Sequence, residues 1–128
     1  MDMKLELVPV PVSDIDRAKT FYSEKIGFVV DHDIQRSELT RIVQLTPPGS
    51  ACSIVLGKGF AGIAMEPGSL RGLHLVVKDT SKSREMIAGR GVEVGEIVEF
   101  PGGIKYALFT DPDGNSWTLQ EIPQQRSN

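Results

Sequence analysis

The sequence predicts an α+β fold made of two tandem modules, each a strand, a helix and three further strands, and three repeated segments carry that prediction. The run Val8-Pro9-Val10-Pro11-Val12-Ser13-Asp14 recurs as Leu73-His74-Leu75-Val76-Val77-Lys78-Asp79, placing Asp79 65 positions after Asp14. Each run leads into a helix-like segment closed by a glycine and an apolar residue, Gly27-Phe28 and Gly91-Val92. Thr46-Pro47-Pro48-Gly49-Ser50 and Asp111-Pro112-Asp113-Gly114-Asn115 repeat the 65-residue spacing. A shared register at three anchors is the mark of a duplicated supersecondary unit.

The opening strands follow from apolar alternation at Val8, Val10 and Val12 and at Leu73, Leu75 and Val77. Ser13 or Asp14 can cap the first helix by accepting a backbone N–H. Ile15, Ala18, Phe21 and Tyr22 then recur at helical spacing until Gly27. The second helix is expected over roughly Thr80 to Arg90, capped by Asp79, with Met86 and Ile87 as its sizeable apolar residues. The two closing glycines are 64 apart, so the second helix is one residue shorter.

Asp111-Pro112-Asp113-Gly114-Asn115 is hairpin chemistry. Proline presets the first turn residue, aspartate tolerates the second, and glycine accepts positive φ. Counting outward from Asp111 and Asn115 pairs Phe109 with Trp117, Leu108 with Thr118, Ala107 with Leu119 and Tyr106 with Gln120. Phe109 and Trp117 then face the helix, whereas Tyr106, Leu108, Thr118 and Gln120 face away. The 65-residue offset carries this second set onto Arg41, Val43, Ser53 and Val55. Lys58 to Leu70, with Gly59, Gly62, Pro67 and Gly68 among Phe60, Ile63 and Met65, reads as a linker. The expected organisation is one domain, with module one at 4–57, the linker at 58–70, module two at 71–122 and a tail at 123–128.

Composition excludes several functional classes. A chain of 128 residues, 40% hydrophobic and 24% charged, can bury one ordinary core. With 14 basic and 17 acidic residues its net charge is -3, which supplies no basic field for nucleic acid or an anionic membrane. Cys52 is the single cysteine, no run approaches a membrane span, and no signal-peptide pattern opens the chain, so cytoplasmic residence is expected. Two half-sheets with helices on one side must cover their other faces, and a cleft between halves is the natural place for a small-molecule ligand.

Val12-Ser13-Asp14-Ile15-Asp16-Arg17-Ala18-Lys19-Thr20-Phe21-Tyr22, then Gly27-Phe28, then Asp111-Pro112-Asp113-Gly114-Asn115, together resemble the vicinal-oxygen-chelate superfamily, also called the glyoxalase / bleomycin-resistance / dioxygenase superfamily, over about residues 4 to 122. The resemblance implies paired βαβββ modules, a U-shaped, cupped mixed sheet around a cavity with helices outside, and a homodimer. It also implies that metalloenzyme members carry His, Gln or Glu at positions occupied here by Leu7, Ser53, Gly72 and Thr118. None of these four is a usual ligand of a divalent metal, so no metal is expected.

His74 shares the parity of Gly72, which faces the cavity if the resemblance holds. It could move a proton or hydrogen-bond a ligand, or it could be a partly buried histidine satisfied by neighbouring hydroxyls. Arg41 could fork onto a ligand carboxylate or phosphate, and Tyr106 could stack on an aromatic ring. Salt bridging at a sheet edge and a rim aromatic are the alternatives for that pair. Thr118 and Gln120 could supply hydroxyl and amide contacts. His32, between Asp31 and Asp33, reads as solvated surface. Asp14, Asp79, Asp111 and Asp113 read as caps and turn formers. The expected function is binding of a small, planar or antibiotic-like molecule, with Leu7, Arg41, Ser53, Gly72, His74, Tyr106, Thr118 and Gln120 lining the site. A metal-independent isomerase or lyase using His74 as acid or base is the alternative, ahead of metal-dependent glyoxalase or dioxygenase chemistry.

Overall fold

Alternating aliphatic residues build two four-stranded mixed sheets, each served by one helical segment, in a computed structural model that describes residues 1–58 and 65–123. By contacts the chain divides into two units, Met1–Leu70 with Pro112–Asn115, and Arg71–Asp111 with Ser116–Asn128. The arrangement is α+β, as predicted. Linker residues 59–64, including Phe60 and Ile63, and tail residues 124–128 lie outside the described residues.

In the first unit, β1 (Leu7–Pro9), β2 (Val29–Ser37), β3 (Thr40–Thr46) and β4 (Ser53–Lys58) lie in the order β1-β4-β3-β2, with β1 parallel to β4 and the other pairs antiparallel. Helix α1 (Ile15–Thr20) starts where the Asp14 carboxylate accepts the Arg17 N–H at 3.0 Å. It runs directly into a wider π-helical segment, Phe21–Ile26, ended by Gly27 at φ 97°. There the Gly27 N–H reaches back five residues to the Tyr22 carbonyl, which accommodates the one residue by which this copy exceeds the second. Val10, Ala18, Tyr22, Val43, Leu45, Ile54 and Leu56 are buried. Each contributes about 1.5–3 kcal/mol of apolar transfer free energy if an aliphatic or aromatic side chain of that size is fully covered, alanine less.

The turn Pro112–Asn115 completes this unit. Asp113 accepts from the Ser13 N–H at 3.1 Å and the Ser13 hydroxyl at 2.6 Å, and pairs with Arg17 at 3.4 Å. The fully buried Asn115 donates through Nδ2 to the Pro11 carbonyl at 2.8 Å and accepts the Leu70 N–H at 3.0 Å. Asp113 and Asn115 are therefore more than turn formers, because their side chains hold backbone of Pro11, Ser13 and Leu70.

In the second unit, β5 (Leu73–Val76), β6 (Val98–Phe100), β7 (Ile104–Thr110) and β8 (Ser116–Glu121) lie in the order β5-β8-β7-β6, again with one parallel pair, β5 and β8. Helix α2 (Thr80–Gly89) is capped by Asp79, which accepts the Lys82 N–H at 3.0 Å. The β7–β8 register is the predicted one: Phe109 pairs with Trp117, Ala107 with Leu119 and Tyr106 with Gln120. Phe109 and Trp117 are buried with parallel rings 6.2 Å apart, on the face they share with Leu73 and Leu75.

The carry-over of that register to the first copy fails on β3. A uniform offset would set Arg41 opposite Val55, but Val55 pairs with Gln44, three residues away. An odd shift turns a strand's side chains to the other face. Arg41 and Val43 consequently lie on the helix-packed face with Leu45, where Val43 is wholly buried and Arg41 reaches Asp16 of α1. Ser53 and Val55 lie on the opposite face, as expected. The physical reason is that Val43, Leu45, Ile54 and Leu56 must share one face to form the core, and this aliphatic pattern overrides alignment through the turn motifs.

Candidate ligand-binding face

The second sheet turns one face to its helix and leaves the other open. Strand alternation and cross-strand pairing place His74, Tyr106, Leu108, Thr118 and Gln120 on the open face, joined by Val98 opposite Tyr106 and Phe100 opposite Ile104. Leu108 is 52% exposed, Val98 49% and Phe100 43%, a high exposure for side chains of this polarity. Three rings make a row. The His74 ring meets Tyr106 edge-on at 5.3 Å, and Tyr106 lies 5.0 Å from Phe100. Beside them His74 Nδ1 lies 2.7 Å from Gln120 Oε1, and Thr118, paired with His74, is buried at the base of the row.

Gly72 is not in this group. The residue that pairs with Thr118 is His74, two positions along, whereas Leu7 pairs directly with Ser53 in the first unit. Gly72 precedes β5 at φ 76° and uses its N–H on Ser116, 2.8 Å from the hydroxyl and 3.1 Å from the carbonyl. An even slide of two residues keeps the face but changes which side chain stands beside Thr118.

On the face of the first sheet away from α1, Leu7 lies beside Ser53, which is buried. The Ser53 hydroxyl is 2.7 Å from that of Thr46, which also bonds the Asp31 carboxylate. Asp31 falls at the β2 irregularity between Val30 and His32, so it reaches this face while Asp33 reaches the other. His32 is exposed on β2 opposite Gln44.

Arg41 is committed elsewhere. Its Nε and Nη2 fork onto the Asp33 carboxylate at 3.1 and 2.9 Å, and Nη1 bonds Asp16 at 2.7 Å, with 17% of the side chain exposed. Lys19 adds a third contact to Asp33 at 2.7 Å. The Arg41 hydrogen bonds first, and that of Lys19 second, hold the Asp33 carboxyl down at about 2, and the same contacts raise Arg41 further above its ordinary value. Arg41 lines a cavity of about 570 Å3 with Ser13, Asp14, Asp16, Gln35 and Glu38. Its fork is filled by carboxylate, which matches the salt-bridging alternative for Arg41.

The side chains at the expected metal positions Leu7, Ser53 and Thr118, and at His74, which pairs with Thr118 where Gly72 was expected, do not fit a divalent ion. Leu7 and Ser53 together offer one hydroxyl, already engaged by Thr46. His74 and Thr118 offer one imidazole, whose Nδ1 is held by Gln120, and one hydroxyl. Among the described residues no three His, Cys, Asp or Glu side chains come together as a metal cluster.

Residues 4–119 match the family model described as Glyoxalase/Bleomycin resistance protein/Dioxygenase superfamily. The chain belongs to this superfamily. TnmS3, described as an antibiotic binding protein from Streptomyces sp. CB03234, is 38% identical, with a TM-score of 0.82 and coverage of 95% of this chain and 98% of that one. A glyoxalase/bleomycin resistance protein from the same Streptomyces is 40% identical over 91% of this chain and 98% of that chain, with a TM-score of 0.77. A superfamily member from Sphaerobacter thermophilus DSM 20745 is 29% identical, covers 94% and 98%, and gives a TM-score of 0.81. A search of curated proteins found no match.

Within this superfamily fold, sequence reasoning missed Val98 and Phe100. Their signal was present in the alternation Val98-Glu99-Phe100, but three residues are a short run from which to recognise a strand. No described helix is long and apolar enough to cross a membrane.

Proposed function

We propose that this superfamily member is a small-molecule-binding protein that holds a planar aromatic ligand, of the antibiotic-like kind, on the open face of its second sheet. The observation that carries this reading is the row of exposed His74, half-buried Tyr106 and exposed Phe100, flanked by apolar Val98 and Leu108 and by the half-buried amide of Gln120, with Thr118 buried at its base. Rings give a flat ligand offset-stacking or edge contacts, and a few polar groups fix its orientation. The similarity to an antibiotic-binding protein supports the same reading. On this view Tyr106 is the principal contact and His74 and Gln120 are polar contacts, with the buried Thr118 hydroxyl beneath them.

The protein works without a resident divalent metal in this proposal, because each candidate pair lacks a sufficient donor set. We further read it as a cytoplasmic homodimer whose interface lies away from this face.

Native mass spectrometry before and after exposure to zinc, nickel, manganese and iron, followed by calorimetric titration with a panel of planar aromatic antibiotics, tests the proposal. Metal-free dimers that bind one or more panel members, with affinity cut roughly tenfold by Tyr106→Ala, are expected. Stoichiometric tight metal uptake, or no panel member bound above background, would overturn it.

A further inference from the structure

Resting on the reading of the protein as a homodimer, we propose that two copies join through residues 3–7, which pair antiparallel with the same residues of a second copy about Leu5. The opening residues alternate without a break, with Met1, Met3, Leu5 and Leu7 apolar and Asp2, Lys4 and Glu6 charged. This is the pattern of a strand with one covered face. Met3 is nevertheless 83% exposed and Leu5 72%, and Lys4 and Glu6 are exposed as well.

The chain's own first sheet does not take this segment. Carrying the Leu7–Ser53 and Val8–Ile54 pairs of β1 and β4 backward sets Leu5 opposite Ala51 and Met3 opposite Gly49. There the Ser50 N–H closes a turn onto the Pro47 carbonyl at 3.0 Å, and β4 begins only at Ser53. The segment continues β1, which is an edge strand of its sheet. The Ser53 N–H donates to the Glu6 carbonyl at 2.9 Å and the Val10 N–H to the Val55 carbonyl at 3.0 Å, so even-numbered residues turn their main-chain groups toward β4. Odd-numbered residues turn theirs to the outer edge. Pro9, an odd position, has no N–H to place there, so a ladder on that edge stops at Leu7.

One register satisfies backbone and charge together. With Leu5 opposite the partner's Leu5, the outward groups of Met3, Leu5 and Leu7 meet as hydrogen-bonded pairs. Lys4 then falls opposite the partner's Glu6 in the closer, non-hydrogen-bonded pair, and the two-fold axis repeats that ion pair. The apolar side chains of both copies share one face of the ladder. A centre at Lys4 or Glu6 faces like charges and calls on inward-turned main-chain groups. A centre at Met3 pairs Lys4 with Asp2 and leaves Glu6 uninvolved, a difference that charge reversal reads.

Sedimentation velocity of the full-length chain over a dilution series at low ionic strength tests the proposal, with far-ultraviolet circular dichroism reporting the fold. Lys4→Glu and Glu6→Lys each make both pairs like-charged and should each weaken the dimer about tenfold. The double variant should return to the wild-type dissociation constant. The two single variants, mixed, should form a heterodimer, because one chain is then acidic and the other basic at both positions. Leu5→Pro removes the central N–H at a residue outside every described strand, so it should abolish the dimer and leave the dichroism spectrum and thermal midpoint unchanged.

A dimer unaffected by Glu6→Lys or by Leu5→Pro, or a mixture that yields no heterodimer, overturns the inference while the homodimer reading stands. A wild type that sediments as a monomer overturns both.

Discussion

Replacing Asn115 by alanine removes one buried and one part-buried hydrogen bond at once, and the loss can be worked from their surroundings. The Leu70 N–H loses the acceptor it uses at 3.0 Å, a change that costs about 1–3 kcal/mol for a fully buried donor and falls in the lower half of that range for this part-buried one. The Pro11 carbonyl loses the Nδ2 donor at 2.8 Å but keeps the Gly68 N–H at 3.1 Å, so this second loss is nearer 0.5–1.5 kcal/mol in typical magnitude. Together about 2–3 kcal/mol should disappear, a large share of the stability of a domain of ordinary size. Urea unfolding followed by far-ultraviolet circular dichroism at pH 7 measures it. Asn115→Asp supplies an internal control, since its ionised carboxylate would face the Pro11 carbonyl oxygen and its folded-state pKa must rise. Its deficit should be largest at neutral pH and narrow below about pH 4, where a protonated carboxyl can again donate. An Asn115→Ala midpoint corresponding to less than about 0.5 kcal/mol of loss would refute the account of Asn115 as a clasp, because a solvated turn residue costs no more than that.

Acid should weaken the first unit through Asp33. Its carboxyl is held down at about 2 in the fold, so the stabilisation is present above its ordinary value of 3.8 and is lost as pH falls from there through 2. With 24% of the side chain exposed, solvent screening reduces the effect to on the order of 1 kcal/mol, and urea midpoints between pH 5 and 2.5 should fall less steeply for Asp33→Asn than for the wild type. Two glycines separate steric clash from backbone strain. A Cβ at Gly68 would sit 2.0 Å from the Asp113 carbonyl oxygen at φ 80°, whereas one at Gly72 would meet open space at φ 76°. Gly72→Ala should therefore cost about 1–2 kcal/mol and Gly68→Ala clearly more, read as the difference in their thermal midpoints. Phe109→Ala should cost about 3–5 kcal/mol in the same assay, because it opens a cavity against the buried Trp117 ring.

Local chemistry was the legible part of the sequence. Asp14 and Asp79 cap the helices as their positions suggested, and the turn after Asp111 delivered the β7–β8 register to the residue. The open-face positions of Tyr106, Thr118 and Gln120 followed from that register alone. What could not be read was the relation between copies, because strand pairing is long-range and answers to burial rather than to sequence spacing. Arg41 was assigned a ligand role through its alignment with Tyr106, yet Val43 and Leu45 needed the core and took Arg41 with them to α1. The coupling of His74 to Gln120 likewise depends on pairing across β5 and β8, separated by 46 positions in the chain.

The first sheet's dependence on Asp113 and Asn115 bears on synthesis. A nascent chain that has emerged only as far as Leu70 already contains β1, α1, β2, β3 and β4, but the Asp113 and Asn115 side chains that bond Ser13, Pro11 and Leu70 have not yet been made. The amino-terminal half can therefore collapse on the ribosome without reaching its final hydrogen bonding, and its last contacts must wait for the turn of the closing hairpin. Truncation anywhere before Asn115 would leave that half in the same unfinished condition.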